Sequence, residues 1–145
     1  MLIRDILANK SSNEIYAVSV KDTLSTAAGI LSAKRIGAVL VRDDRQALKG
    51  ILSERDIVRE IGKRGVDCME DCVADIMTKS VKSCTMKDTP QAVMKMMTEG
   101  RFRHMPVMDG DDLVGVISIG DAVAARITEI KLDNDAMMEM IAGNA

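Results

Sequence analysis

Two aspartates each stand three residues after a serine, and each serine stands three residues after a glycine. The segments are Gly50-Ile51-Leu52-Ser53-Glu54-Arg55-Asp56 and Gly115-Val116-Ile117-Ser118-Ile119-Gly120-Asp121. Serine followed at that spacing by an acid is the pattern of a capping box, in which hydroxyl and carboxylate each accept a hydrogen bond from the backbone at a helix start. The same turn can also do the chemistry of recognition. A helix start presents unpaired N–H groups and a positive dipole end, which suit a phosphate. An aspartate beside it can accept hydrogen bonds from a ribose cis-diol. Ribose and phosphate together describe a nucleotide. A capping box by itself requires neither matched glycines nor matched strands upstream, and here they come as a set.

The elements that must position these residues are duplicated as well. A shift of 65 positions overlays Gly50 on Gly115, Ser53 on Ser118, Asp56 on Asp121 and Val58 on Val123. Earlier in the unit a shift of 66 pairs Asp22 with Asp88, Thr23 with Thr89, Val41 with Val107 and Asp43 with Asp109. Further back, a shift of 70 matches Ile3-Arg4-Asp5-Ile6-Leu7 to Val73-Ala74-Asp75-Ile76-Met77. The length differences fall in a polar turn after Asp43 and in a loop across Asn9-Lys10-Ser11-Ser12-Asn13. Gaps confined to turns argue for duplication of a folded unit.

Each copy reads as strand, helix, strand, strand, helix. The first strands are Ile15 to Val18 and Val81 to Thr85. Thr89 is a natural N-cap with Pro90 at the first helical position, and Thr23 caps the matching helix by analogy. The helices, Leu24 to Arg35 and Gln91 to Glu99, carry apolar residues at helical spacing, and Gly100 suits a left-handed terminator. Two strands follow in each copy, Gly37 to Arg42 with Leu48 to Ser53 and Arg103 to Met108 with Leu113 to Ser118, joined by polar hairpin turns. Pro106 within a strand implies an edge position or an unpaired N–H. Helices are expected on one face of each sheet, leaving the other to meet the second repeat. The fold class is α/β (α+β), with domain boundaries at 1–70 and 71–125 and a C-terminal helix over 126–145.

Composition narrows the function. With 145 residues and 47% of them apolar, the chain can bury one ordinary core. Each copy of roughly 60–70 residues is marginal alone, so the two must share that core. Tyr16 and Phe102 are the only aromatics, and twelve methionines help fill the interior. A net charge of −2 and the lack of stacking aromatics disfavour nucleic-acid binding. No apolar run is long enough to span a membrane. Arg4 and Asp5 interrupt the start before a leader can form, and three cysteines fit a reducing compartment, so a soluble, cytoplasmic protein is expected.

The ordered, duplicated set resembles tandem CBS motifs, the paired unit known as a Bateman module, over nearly the whole chain from Ile3 to Val123. The residues that carry the resemblance are the two Gly-x-x-Ser-x-x-Asp segments, Asp75-Ile76-Met77-Thr78, and Arg101-Phe102-Arg103-His104-Met105-Pro106-Val107. The resemblance implies clefts between the repeats for adenosine-containing ligands: AMP, ADP, ATP, NAD(H) or, less favoured, S-adenosylmethionine. It also implies a homodimer.

By the same resemblance, Asp56 and Asp121 hold ribose diols, and Ser53 and Ser118 face the phosphate region. Thr78, Lys79 and Val81, with the strand from Gly37 and Ala38, frame the adenine largely through backbone groups. Ile36, Phe102 and Met105 flank those positions, and Arg103 and His104 meet phosphates. The two copies differ, since Gly37-Ala38 stands opposite Arg103-His104, and Arg55 and Glu54 stand opposite Gly120 and Ile119.

Other residues carry less. His104 is the only histidine and serves equally as a packed strand residue. Cys68 and Cys72, spaced to share a helix face, would need Cys84 and His104 as further ligands to hold a metal, and none is expected. Met94, Met96 and Met97 read as helix core and interface. Val123, Ile127, Ile130, Asn134, Met137 and Ile141 alternate by four and three, a heptad seam suited to a dimer contact. No Ser-His-Asp set, P-loop or HExxH pattern occurs, so no catalysis is expected. The expectation is a regulatory nucleotide sensor acting on a downstream protein partner; the alternative is a ligand-free scaffold subunit working through protein contacts.

Overall fold

The computed structural model describes residues 1–10 and 15–143; the expected loop residues 11–13 lie outside them. The chain divides into two compact units: one of Met1–Asn13, Ser83–Gly110 and Val114–Ala145, the other of Glu14–Lys82 with Asp111–Leu113. These packing units are a different division of the chain from the repeats in sequence. The first copy's leading segment is counted with the second copy's elements, and Val73 to Lys82 with the first copy's.

In the unit of Glu14–Lys82, β1 (Ala17–Ser19) pairs parallel with β2 (Ala38–Arg42), which pairs antiparallel with β3 (Leu48–Ser53). Helices α2 (Leu24–Lys34) and α3 (Glu54–Arg64) follow β1 and β3, and a 3-10 turn (Val66–Glu70) leads to α4 (Val73–Ile76). Alternate side chains of β2 and β3 place Val39, Val41 and Leu52 in a core with Leu24, Ala27, Leu31, Ile57 and Val73, while Leu40 between them is buried as well. The Thr23 hydroxyl accepts from the Thr26 amide at 3.2 Å, the expected cap.

The other unit is the matching construction. Strand β4 (Cys84–Thr85) pairs parallel with β5 (His104–Asp109), and β6 (Asp112–Ser118) completes the sheet. Helices α5 (Pro90–Gly100) and α6 (Ile119–Gly143) belong here, together with α1 (Ile3–Asn9). Its core joins Ile3, Ile6 and Leu7 of α1 to Val93, Met97, Met105, Val107 and Ile117. The Thr89 hydroxyl accepts from the Ala92 amide at 3.1 Å, with Pro90 opening α5.

Several hydrogen bonds repeat residue for residue. Ile3 N donates to Asp88 O at 2.9 Å and Arg4 N to Met86 O at 3.1 Å; in the other unit Val73 N donates to Asp22 O at 2.7 Å and Ala74 N to Val20 O at 3.1 Å. The duplicated aspartates Asp22 and Asp88 accept from the amides of Ser19 and Thr85 at 2.9 and 2.8 Å. The duplication is therefore one of bonding, beyond the likeness of residue types.

Four expectations need correction. The first strands are shorter than Ile15 to Val18 and Val81 to Thr85. Of the two readings of Pro106, the edge position fails because it lies on the central strand of its sheet, while the missing ladder N–H stands. Its counterpart Leu40 donates to Tyr16 O at 3.1 Å, whereas proline has no N–H to give, and β4 begins one residue later than β1. The left-handed terminator is Arg101 at φ 57°, as Arg35 is at φ 55°, while Gly100 is the last residue of α5. The Phe102 ring lies where a Cβ at residue 100 would project, so glycine there leaves room for the ring in this position. Cys68 and Cys72 share no helix face: the 3-10 turn ends at Glu70, with Cys68 buried and Cys72 exposed ahead of α4.

Candidate functional site: two serine–aspartate helix starts

Both motifs are strand-to-helix corners built by the same bonds. Ser53 N donates to Asp56 Oδ2 at 2.9 Å, and Asp56 N donates back to Ser53 Oγ at 3.2 Å. Ser118 N donates to Asp121 Oδ2 at 2.9 Å, and Asp121 N to Ser118 Oγ at 3.0 Å. The capping boxes are closed in both copies. At each corner the first helical amide is also engaged: Glu54 N donates to Gly37 O at 2.9 Å and Ile119 N to Arg103 O at 2.8 Å. The backbone of Gly37 and Arg103 thus steadies the corner in each copy, whatever the side chain.

The carboxylates differ in their second partner. Asp56 is buried, and its Oδ1 accepts from Arg59 Nη1 at 3.3 Å, one turn along α3. Asp121 is half-buried, and its Oδ2 meets the Lys10 ammonium at 2.9 Å. Lys10 Nζ donates in addition to Val116 O at 3.0 Å, so it is held at two points of the same corner. Burial raises the Asp121 pKa, but the Ser118 amide and Lys10 prevail and hold the carboxyl below its ordinary 3.8. Lys10 was not singled out by the sequence reading. Its place after α1 carries no local signal, because the partners lie far along the chain.

The glycines that open the motifs have a packing role. A Cβ on Gly50 would lie 2.6 Å from Met77 Sδ and 2.8 Å from Thr78 O. A Cβ on Gly115 would lie 2.9 Å from Leu7 Cδ2. The segment at Thr78 is tied to β3 by reciprocal bonds, Ile51 N to Thr78 O at 3.0 Å and Thr78 N to Ile51 O at 2.9 Å.

The remaining sequence-predicted residues fall as follows. In the unit of Glu14–Lys82, Ala38 pairs with Ser53 across β2 and β3, and Gly37 adjoins the corner. Arg55 and Lys79 are exposed there, Val81 is half-buried, and Ile36 packs partly on the core. In the other unit Arg103 is exposed, His104 is half-buried, and Phe102 lies against the core and Gly100. Met105 is wholly buried among core side chains, which leaves its side chain unavailable to a ligand.

A paired β-α-β-β-α unit with a Gly-x-x-Ser-x-x-Asp corner in each copy defines a class of tandem-repeat module. The chain belongs to the CBS-domain family: that family's model matches residues 3–63 and 73–127. The mitochondrial CBS domain-containing protein CBSX3 of Arabidopsis thaliana is 37% identical over 114 residues, covering 74% of this chain and 54% of that protein. The chain thus spans about half the length of that relative. Among solved structures, the CBS-domain containing protein ATU1752 of Agrobacterium tumefaciens matches with TM-score 0.82 and 38% identity, over 86% of this chain and 92% of that one. CBSX2, solved in complex with AMP, shares the fold at TM-score 0.72 and 24% identity, over 90% of this chain and 98% of its own. Among the described residues no helix is long and apolar enough to cross a membrane.

Proposed function

We propose that this chain is a non-catalytic regulatory module that receives adenosine-containing ligands at its two serine–aspartate corners. Asp56 and Asp121 take the ribose diols through their carboxylate oxygens. The amides of Arg55 and Gly120, second in their helices, meet phosphate oxygens together with Ser53 and Ser118. Arg103 and His104 add to the phosphate end in one copy, and Arg55 in the other. Thr78, Lys79, Val81, Gly37 and Ala38 frame the base. The observation that carries the reading is the doubled corner, built twice with the same capping bonds and with a cation beside each aspartate. Membership of the CBS family and the AMP bound by CBSX2 support adenosine as the shared chemistry. AMP, ADP, ATP and NAD(H) are the ligands to test first, as reporters of energy or redox state.

The module works as a homodimer through α6 and passes its ligand state to a protein partner. From Lys131 to Gly143 every residue of α6 is exposed in the single chain, including Leu132, Met137, Met138 and Ile141. Helices draw most of their stability from packing an apolar face, so this stretch calls for a second surface. A second copy offers the same seam of Ile127, Ile130, Asn134, Met137 and Ile141.

A thermal-shift panel of AMP, ADP, ATP, NAD(H) and S-adenosylmethionine tests the ligand reading. A ligand at 100 times its Kd adds about 2.7 kcal/mol, a rise of roughly 5–15 °C at this size. Calorimetry should then show Asp56→Asn weakening binding by roughly ten- to a hundredfold, the worth of a charged hydrogen bond. No shift with any adenosine compound would leave the scaffold role in its place.

A further inference from the structure

The two aspartates are matched in sequence and in their capping bonds, yet only one carries a cation from a distant segment. Asp121 Oδ2 accepts from Ser118 N and from Lys10 Nζ, both at 2.9 Å, which fills that oxygen. Lys10 is not a solvent-facing side chain passing by. Its ammonium also bonds Val116 O at 3.0 Å, and both members of the pair are about three-quarters buried, with side-chain exposures of 25% and 24%. Arg59 beside Asp56 is different. It comes from the same helix, reaches Oδ1 at the longer 3.3 Å, and is 60% exposed. Asp56 itself is buried, but its arginine partner is solvated and comes from one turn away, so that pair opens from the arginine side at little cost, whereas a pair shielded at both members and held at two points opens less readily.

A vicinal diol bound to a carboxylate donates one hydroxyl to each oxygen. At Asp56 the diol competes with a solvated arginine. At Asp121 it competes with an ammonium that already occupies an oxygen and is anchored to the strand below. We propose that Lys10 is the specificity-determining residue of the second corner, an internal competitor that occupies Asp121 and makes this corner the weaker of the two diol receptors. Rising ligand concentration then fills the Asp56 corner first and the Asp121 corner only once Lys10 is displaced. This inference rests on the nucleotide reading of the corners proposed above, and it adds the order in which they fill.

The test compares Lys10→Met with the unaltered residue in an Asp56→Asn background, where calorimetry with AMP reads the Asp121 corner. The expected result is about three- to tenfold tighter AMP binding for Lys10→Met, the worth of one partly shielded ion pair. Lys10→Arg should restore the weaker affinity, and Lys10→Gln should follow Lys10→Met if the charge, rather than the packing, competes. Without ligand, the Asp121 carboxyl followed by NMR should titrate at higher pH in Lys10→Met. AMP binding that is unchanged or weaker in Lys10→Met, or an Asp121 titration that does not move, overturns the proposal while leaving the receptor reading intact. No binding of AMP to any form, the natural sequence included, overturns the receptor reading and the filling order with it.

Discussion

The side chain of Leu7 occupies the space that a Cβ on Gly115 would need, its Cδ2 lying 2.9 Å from that point. Met77 stands in the same relation to Gly50. The first glycine of each motif is therefore fixed by the segment that packs across β3 or β6. At both positions the missing Cβ leaves room for that segment.

The two glycines should respond differently to alanine. At Gly115 the neighbour is the far end of a leucine side chain, which can rotate away. At Gly50 the obstacles include Thr78 O, 2.8 Å away and locked by reciprocal bonds to Ile51. Gly50→Ala should cost about 1–3 kcal/mol as an overpacked site, and Gly115→Ala distinctly less. Urea unfolding of the two variants, compared at equal slope, measures the difference.

The depressed pKa of Asp121 makes its contribution to stability dependent on pH. A carboxyl whose folded pKa lies below its unfolded value stabilises the fold above the unfolded value, and that contribution is lost as pH falls through the folded one. The burial that opposes ionisation is outweighed by Ser118 and Lys10, so the loss falls below pH 3.8. Asp121→Asn should be less stable than the natural protein at pH 7, and the gap should close as pH falls below that value. Thermal unfolding between pH 7 and pH 2.5 checks this; a gap of constant size would contradict it.

The three thiols should separate by reactivity. Burial, with the Asp88 charge adding to it, pushes the Cys84 thiol up to about 12. Almost no Cys84 thiolate exists at pH 8, and thiolate is the reactive form. Cys68 is buried as well, whereas Cys72 is exposed. Iodoacetamide at pH 8 should label Cys72 rapidly in the folded protein and Cys68 and Cys84 only on unfolding, as peptide mass mapping would show.

The exposed seam of α6 predicts a concentration-dependent assembly. Ile130 and Met137 are 54% and 62% exposed in the single chain. Placing glutamate at both positions should convert a dimer to a monomer by sedimentation velocity, with little change in far-UV circular dichroism beyond fraying of the last turns. A double variant that sediments like the natural protein would remove α6 as the dimer contact.

How far the sequence was legible follows from the reach of each interaction. The capping boxes and the caps at Thr23 and Thr89 were readable because donor and acceptor lie within one helical turn. The strand pairs were readable because alternation and polar turns are local. Lys10 was not, since its partner Val116 is 106 positions away, and the pairing depends on which sheet α1 joins. Repeat alignment shows that α1 and α4 are equivalent, but it carries no information on the sheet each one serves. Gly100 was misread for another reason. Glycine is favoured in the left-handed region, but here its missing Cβ leaves room for the Phe102 ring one residue earlier, and Arg101 took the positive φ.

The division of the chain has a consequence for its birth on the ribosome. The unit of Glu14–Lys82 is nearly all in hand once its last residue has emerged, and can collapse around its own core. Helix α1 precedes that unit along the chain yet packs with elements from Ser83 onward, so Ile3, Ile6 and Leu7 lack their core partners until those elements are synthesised. Closing that long loop comes late and carries an entropic cost.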